Sequence, residues 1–390
     1  MTVDNVYIFV ADALRDDHLP DSVREVGEYV PTIATGTNSP EGFASIVSGL
    51  YPNQHQAHAF THRLNPAFNY LNAADTHDTR FFQIYETELA EVLGMEQETE
   101  NPVDDLAEPF AVMERDMTTH APFGHPSYEN VDIGPQEYFG DKNVDWERIR
   151  TDYREASERV GNRFLQRLDE LEAAGKLENT LVIFTADHGE LLGEYSEMSH
   201  GEPLVPELAR VPTVVRNPDP DAPDPVPDVM SLVDILPTIT DVLDECPPWT
   251  TPGRSIYDAD QRPYRVCERK SKPHTLNEFS FQNFYNYSVR SVWGADGGHA
   301  FKETSFPGLC VHAFRQTPLF NPLRGRDAIR AFEALYHHLR PTRTFGTPGF
   351  TTAEAKEYLR EMDDFSVQLS RTTEEISEGA REELEHLGYL

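Results

Sequence analysis

Val6-Tyr7-Ile8-Phe9-Val10-Ala11 is an unbroken apolar run that stops at Asp12. Such a run has no solvent face, the pattern of a strand covered on both sides in a parallel sheet. Thr180 to Thr185 (TLVIFT) repeats it and is followed by Ala186-Asp187; Thr213-Val214-Val215 is a third, shorter run. Pro212 precedes the third, and a residue without an N–H belongs at a strand's first position or on an edge. Elsewhere the apolar period is helical. Between Asp145 and Ala174, Val160, Phe164, Leu168 and Leu171 share one face among charges, and Gly175 ends the helix. Pro40 to Gly49 reads as another helix, with Ser39 as N-cap and Pro40 in the first helical position. Ser231 to Leu243 holds one more. Pro237 fits there if Asp234 is the N-cap, because first-turn amides have no helical partner.

Strands alternating with helices predict an α/β fold, a mostly parallel central sheet flanked by helices. This domain is expected over residues 1–261. The Pro/Asp-rich stretch Asn217 to Asp228 is a loop within it. Short strand-like pieces then appear at Tyr287–Trp293 and His299–Phe301, predicting a small C-terminal α+β subdomain over 262–345. Residues 346–390 read as an acidic helical tail.

Composition narrows the partners. The 67 acids against 33 bases leave a net charge of −34. That opposes nucleic-acid binding, which needs a positive surface, and docking on anionic membranes. The acids are spread along the chain, and only 6 of the 33 bases are Lys. Both features fit a protein adapted to high salt, where the Debye length falls to about 3 Å at 1 M and self-repulsion is screened. No stretch approaches about 18 consecutive apolar residues, so no transmembrane helix is expected. No basic segment precedes an apolar one at the start, so no secretory signal is expected and the default location is cytoplasmic. Cys246, Cys267 and Cys310 are too scattered for a disulfide framework and read as buried structural thiols.

In an open parallel sheet, ligands sit beyond the carboxyl ends of the strands. Two of the runs end there with metal-ligand chemistry: Asp12, and Asp187-His188 followed by Gly189-Glu190. Carboxylates suit hard divalent cations, and imidazole suits Zn or Mn. Ser39 places a hydroxyl at a helix N-terminus, where an anion binds and where a metal could make it a nucleophile. Each feature alone has a plainer reading, a helix cap above all.

The strings VYIFVADALRDDHL, SPEGFASIVSGLYPNQH, ERDMTTHAPFG, NTLVIFTADHGELLGE, HGEPLVPELARVPTVV and SLVDILPTITDVL occur in this order from Val6 to Leu243. As an ordered set they resemble the sulfatase family of the alkaline phosphatase superfamily. The terminal LEHLGYL resembles tails of sulfatase-like proteins from haloarchaea. The resemblance implies an alkaline-phosphatase-like fold and a divalent cation (Ca, Mg, Mn or Zn) held by Asp12, Asp187 and His188, with Ser39 as nucleophile and further metal ligand. It implies that His120 and His200 face the substrate anion or protonate the leaving oxygen. The ligand would be a small-molecule or glycan sulfate or phosphate ester. Arg15 and His55 are further substrate-binding candidates. Arg15 could instead pair with Asp16 or Asp17, and His55, like His58, could lie on a surface loop. Glu190 could support the site from behind. The Asp116-x3-His120 spacing resembles half of a second metal site.

Ser39-Pro40-Glu41-Gly42-Phe43 departs from the family's Cys/Ser-x-Pro-x-Arg. The proline is missing at 41 and the arginine at 43, so formylglycine is not expected. An unmodified hydroxyl is the arrangement in related phosphodiesterases, phosphonate hydrolases and phosphotransferases. Ala13 replaces a second acid. The expected function is therefore metal-dependent hydrolysis of a phosphate or sulfate ester. A phosphoryl- or sulfo-group transferase and a degenerate, non-catalytic binding protein are the rival expectations.

Overall fold

The computed structural model describes residues 3–84, 87–101, 103, 105–124, 135–140, 145–200, 204–246, 249–271, 287–315, 336 and 338–374. Gly201 to Pro203, directly after His200, and the terminal Leu384 to Leu390 fall outside these.

The apolar run at the start forms β1 (Asn5–Ala11), buried along its whole length. β2 (Glu28–Ile33), β3 (Asp78–Gln83), β4 (Gln97–Glu98), β5 (Phe110–Asp116), β6 (Thr180–Thr185), β9 (Arg210–Arg216) and β10 (Met230–Ser231) join it in one sheet. The order is β10-β2-β9-β6-β1-β5-β3-β4. Only β9 runs against the rest, pairing antiparallel with β6 and β2. Helices α1 (Ser39–Ser48), α2 (Trp146–Ala173) and α3 (Ile235–Val242) pack on this sheet. α2 starts where Asp145 accepts the Arg148 N–H and ends at Gly175, whose φ is +71°. Its Phe164 meets Phe9 and Phe184 at ring distances of 5.4 and 4.9 Å, so the helix is fixed by its apolar stripe.

Between β6 and β9 lies a two-stranded ribbon, β7 (Leu191–Leu192) and β8 (Met198–Ser199). A second sheet, β11 (Arg265–Ser271), β12 (Tyr287–Gly294), β13 (Gly297–Lys302) and β14 (Thr342–Gly346), is antiparallel throughout. It belongs to the same compact unit, Met1–Gly349, as the main sheet. Strand β11 grips the chain around the N-terminus of α1. The Glu268 N–H donates to Thr35 O at 2.8 Å, Arg269 pairs with Glu41 at 3.3 Å, and Lys270 Nζ donates to Asn53 Oδ1 at 2.6 Å. Residues 350–390 form a second unit. Within it, α4 (Thr352–Glu374) opens where Thr351 and Glu354 bond each other reciprocally. No helix among the described residues is long and apolar enough to cross a membrane.

Three local readings need correction. Asn38, extended at φ −149° and ψ 159°, is the N-cap, and Ser39 is the first helical residue. The Ser39 hydroxyl is therefore not used up in capping. Pro212 is the third residue of β9, an interior strand. It faces Pro31 across the β2 ladder, where neither residue is asked for an N–H, and pairing with β6 starts one residue later at Thr213. Of the thiols only Cys267 is buried; Cys246 and Cys310 are exposed.

Candidate active site

Strand β1 lies between β6 and β5, so Asp12, Asp187 and Asp116 come from neighbouring tips. After Asp12 the chain turns at Ala13, with φ +64°. This left-handed turn aims the Ala13 N–H at Asp187 Oδ1, 3.0 Å away; the His188 N–H reaches the same oxygen at 3.0 Å. Two amides thus fix the Asp187 carboxylate and leave Oδ2 free of them. Tyr153 of α2 holds the turn by donating to Ala13 O at 2.7 Å. α1 approaches from the other side at Gly42. A Cβ at residue 42 would sit 2.6 Å from Asp187 O and 2.8 Å from Asp187 Cβ, so only glycine admits this approach.

Asp12 Oδ1, Asp187 Oδ2 and His188 Nε2 are buried without a hydrogen-bond partner. Atoms of these three side chains lie within 4.8 Å of one another, the one such group of metal-binding side chains among the described residues. Leaving a buried polar atom unpaired costs about 1–3 kcal/mol, so three converging orphans call for a ligand. Two carboxylate oxygens and an imidazole nitrogen fit a divalent cation. The His188 ring is prepared for it: Nδ1 lies 2.9 Å from Gly189 O, which places the proton on Nδ1 and the lone pair on Nε2. Burial and then the neighbouring His200 push the His188 imidazole down to about 3. Burial and the adjacent Asp12 push the Asp187 carboxyl up to about 7. Asp12 goes the other way: burial would raise it, but the Arg115 guanidinium and three imidazoles hold it well below the carboxylate range.

The Ser39 hydroxyl donates to Asp12 Oδ2 at 3.3 Å and accepts from Arg115 Nη2 at 3.3 Å. Arg115 was not among the expected residues. A signal was present, because Phe110 to Asp116 (FAVMERD) carries charges at the end of an otherwise apolar strand, and a buried arginine needs an anion.

His120 and His200 also reach the cluster. The His200 ring lies 4.3 Å from that of His188 and 5.1 Å from that of His120, centroid to centroid. The ribbon explains His200: β7 pairs Leu191 with Ser199, so Glu190 and His200 flank the next position across it. Glu190 Oε2 stands 3.4 Å from His200 Nδ1. Burial lowers the His200 pKa, but the carboxylates of Glu190, Asp12 and Asp187 together outweigh it and the net shift is upward. His120 is shifted down, mainly by burial.

Four expected roles change. Arg15 is held by Asp17, at 2.8 and 2.7 Å, and by Glu194 at 2.8 Å; it braces the turn after β1 instead of meeting the substrate. Asp116 Oδ1 accepts the Thr118 N–H and Oδ2 lies 3.1 Å from Arg163, an ion pair that opposes the second metal site expected with His120. His58 is buried rather than on a surface loop, with Nδ1 3.3 Å from Glu41. His55 is buried too: Nδ1 accepts the Ala57 N–H at 3.0 Å and Nε2 lies 3.2 Å from Ser45 Oγ. Both ring nitrogens are engaged, so His55 ties α1 to the following turn and does not face the cluster.

Burial and then the charge of His58 push His55 down to about 3. The unfolded imidazole titrates near 6.5. Stability from the neutral ring is therefore complete above about pH 6.5 and lost as pH falls towards 3, at up to about 1.4 kcal/mol per pH unit. His55→Gln cannot titrate. Urea melts from pH 6.5 to 4 are expected to show a slope shallower by about one proton than in the wild type. Equal slopes would contradict the assignment.

A sulfatase family model matches residues 101–245. The chain is 30% identical to the low-salt glycan biosynthesis sulfotransferase Agl7 of Haloferax volcanii, over 99% of this chain and 96% of that protein. A 2-O GAG sulfatase superposes with a TM-score of 0.60 at 14% identity, covering 96% of this chain and 94% of its own. The phosphonate monoester hydrolase of Agrobacterium radiobacter gives 0.59 at 16% identity, covering 93% and 96%.

Proposed function

Because the chain belongs to the sulfatase family of the alkaline phosphatase superfamily, we propose that it opens sulfate or phosphate esters in a metal-dependent reaction with Ser39 as covalent nucleophile. One observation carries this reading: Ser39 Oγ lies between Asp12 and Arg115, beside three buried ligand atoms that have no other partner. A divalent cation held by Asp12 Oδ1, Asp187 Oδ2 and His188 Nε2 would supply Lewis acidity at the ester and at the serine. The protein's own groups do the rest. Ser39 Oγ forms a bond to sulfur or phosphorus while the bond to the leaving oxygen breaks. The Ser39 proton leaves to water, because Asp12, which Arg115 holds well below the carboxylate range, is too weak a base to keep it. The leaving oxygen keeps the electron pair and takes a proton from His200, whose pKa the neighbouring carboxylates raise; the His120 ring stands 5.1 Å from that of His200. Water then attacks the serine ester and gives a proton to His200, the bond from Ser39 Oγ to sulfur or phosphorus breaks, and Oγ takes a proton back from solvent. With Glu41 and Phe43 at the third and fifth places of the motif, Ser39 acts unmodified.

Sulfo-group transfer to a glycan is the second reading, supported by the sulfotransferase relative that matches almost end to end. The first half of the reaction is the same; an acceptor hydroxyl replaces water in the second. The test follows nitrophenol release from aryl sulfate, aryl phosphate and phosphodiester substrates with a divalent cation in concentrated KCl, with and without sugar alcohols. Hydrolysis yields free anion regardless of acceptor, whereas transfer yields a sulfated or phosphorylated sugar. No release from any of the esters counts against both.

The net charge of −34 repels an anionic substrate, and salt screens that field. Activity in 2 M KCl is expected to exceed that in 0.2 M by about tenfold, with circular dichroism confirming the fold at both. A folded protein with flat salt dependence would contradict this.

A further inference from the structure

Position 43, where the family's motif has its arginine, is Phe43, buried in α1 and packed edge-on against Phe81 at 6.3 Å. A guanidinium nevertheless stands there. Arg115 comes from β5, a different element, and its Cζ lies 5.6 Å from the Phe43 ring centre, within cation–π range. The side chain is buried, and its donors are assigned in detail. Nε donates to Asp12 Oδ2 at 2.7 Å. Nη1 donates to Gln83 Oε1 at 3.2 Å and to Thr87 Oγ1 at 2.9 Å. Nη2 lies 2.5 Å from Asp12 Oδ2 and donates to Ser39 Oγ at 3.3 Å.

A simple counterion for Asp12 would need only the Nε edge of this fork. Here the far edge is tied down by two neutral acceptors, which fixes the guanidinium plane, and the remaining Nη2 donor points at the nucleophile. That donor makes the longest of these bonds, so it is the one most easily given to an incoming oxygen. Charge points the same way. Two carboxylates balance a divalent cation, and Arg115 then leaves one net positive charge in the cluster, where a monoanionic ester would meet attraction inside an acidic protein.

We propose that Arg115 is the anion-binding and serine-orienting arginine of this enzyme, supplying from β5 what the motif residue supplies from α1 elsewhere. The proposal rests on the ester-opening reading and adds a residue to it. During attack, Nη2 donates to the Ser39 oxygen and to a non-bridging oxygen of the ester, and the arginine itself exchanges no proton.

The experiment compares wild type, Arg115→Lys, Arg115→Met, and Arg115→Met combined with Phe43→Arg, all loaded with Mn2+. Loading is read by the cation's shift of Tm. Calorimetric titration with inorganic sulfate and with inorganic phosphate measures anion affinity, and the best aryl ester gives kcat and KM. Arg115→Lys keeps a positive charge beside Asp12, so its Tm and cation shift are expected near wild type. Its anion affinity is expected to fall about tenfold or more, and its kcat about 100-fold, because an ammonium cannot reproduce the fork. Arg115→Met is expected to lose more, and adding Phe43→Arg to recover at least about tenfold of that loss, since the new side chain enters the same space. Anion affinity and kcat within threefold of wild type in Arg115→Lys would overturn the proposal and leave Arg115 a counterion. Arg115→Lys gives this answer even if the Met variants do not fold. If the wild type opens none of the esters, the ester-opening reading fails, while the anion titrations still decide Arg115.

Discussion

Ser39→Ala is expected to lower kcat/KM by about 10⁴-fold while leaving the cation's effect on Tm intact. The size follows from the covalent route: without Oγ there is no atom to take the sulfur or phosphorus, and the cation and imidazoles can only assist direct attack by water. The cation shift should survive because the three orphaned ligand atoms belong to Asp12, Asp187 and His188. The fold should also survive. Ser39 is the first residue of α1, its hydroxyl caps nothing, and Arg115 keeps its shorter bonds to Asp12. Mass spectrometry of the quenched reaction is the companion measurement, with wild type alone gaining the mass of a sulfo or phosphoryl group. Turnover at wild-type rate in the alanine variant would remove Ser39 from the chemistry.

The second large effect separates the two acids. Asp12→Ala removes a ligand atom and also strips Arg115 of its anion. An uncompensated buried charge costs about 3–5 kcal/mol, so the cation-free protein should melt far below wild type. Asp187→Asn should behave differently. Its amide oxygen can still accept from Ala13 and His188, and the like-charge contact with Asp12, which helps push the Asp187 carboxyl up, disappears. The cation-free Asn variant should therefore melt at or above wild type. Both variants are expected to lose the cation's stabilisation, about 2.7 kcal/mol at a hundred times the dissociation constant. Melts in chelator and in excess Mn2+ give all four values. An undiminished cation shift in either variant would place the ion elsewhere.

Much of the site was legible because burial writes itself into composition. A strand covered on both faces must be apolar until it leaves the sheet, so the acids after Ala11 and Thr185 mark the tips, and α/β alternation puts those tips on one edge. Partner choice across the sheet was not legible. Arg115 could be seen as a charge in an apolar strand, but its commitment to Asp12 and Ser39 depends on β5 lying next to β1. Arg15 shows the converse: next to the first ligand in sequence, it is captured by Asp17 and Glu194. His55 and His58 were misplaced because a loop's sequence does not reveal that a later strand covers it. The cap differed by one residue for a local reason, since Asn38 and Ser39 are both good caps and backbone extension at 38 decides between them.

The grip of β11 on the turn before Ser39 has a consequence for how the protein is made. Thr35, Glu41 and Asn53 are held by Glu268, Arg269 and Lys270, more than 200 positions further along the chain. A ribosome that has released the parallel sheet has delivered both acids and the serine, but not the strand that steadies the serine's approach. These contacts are thus absent from the nascent polypeptide until translation has passed the second sheet's first strand, and an early-terminated product carries Asp12, Asp187 and Ser39 without them.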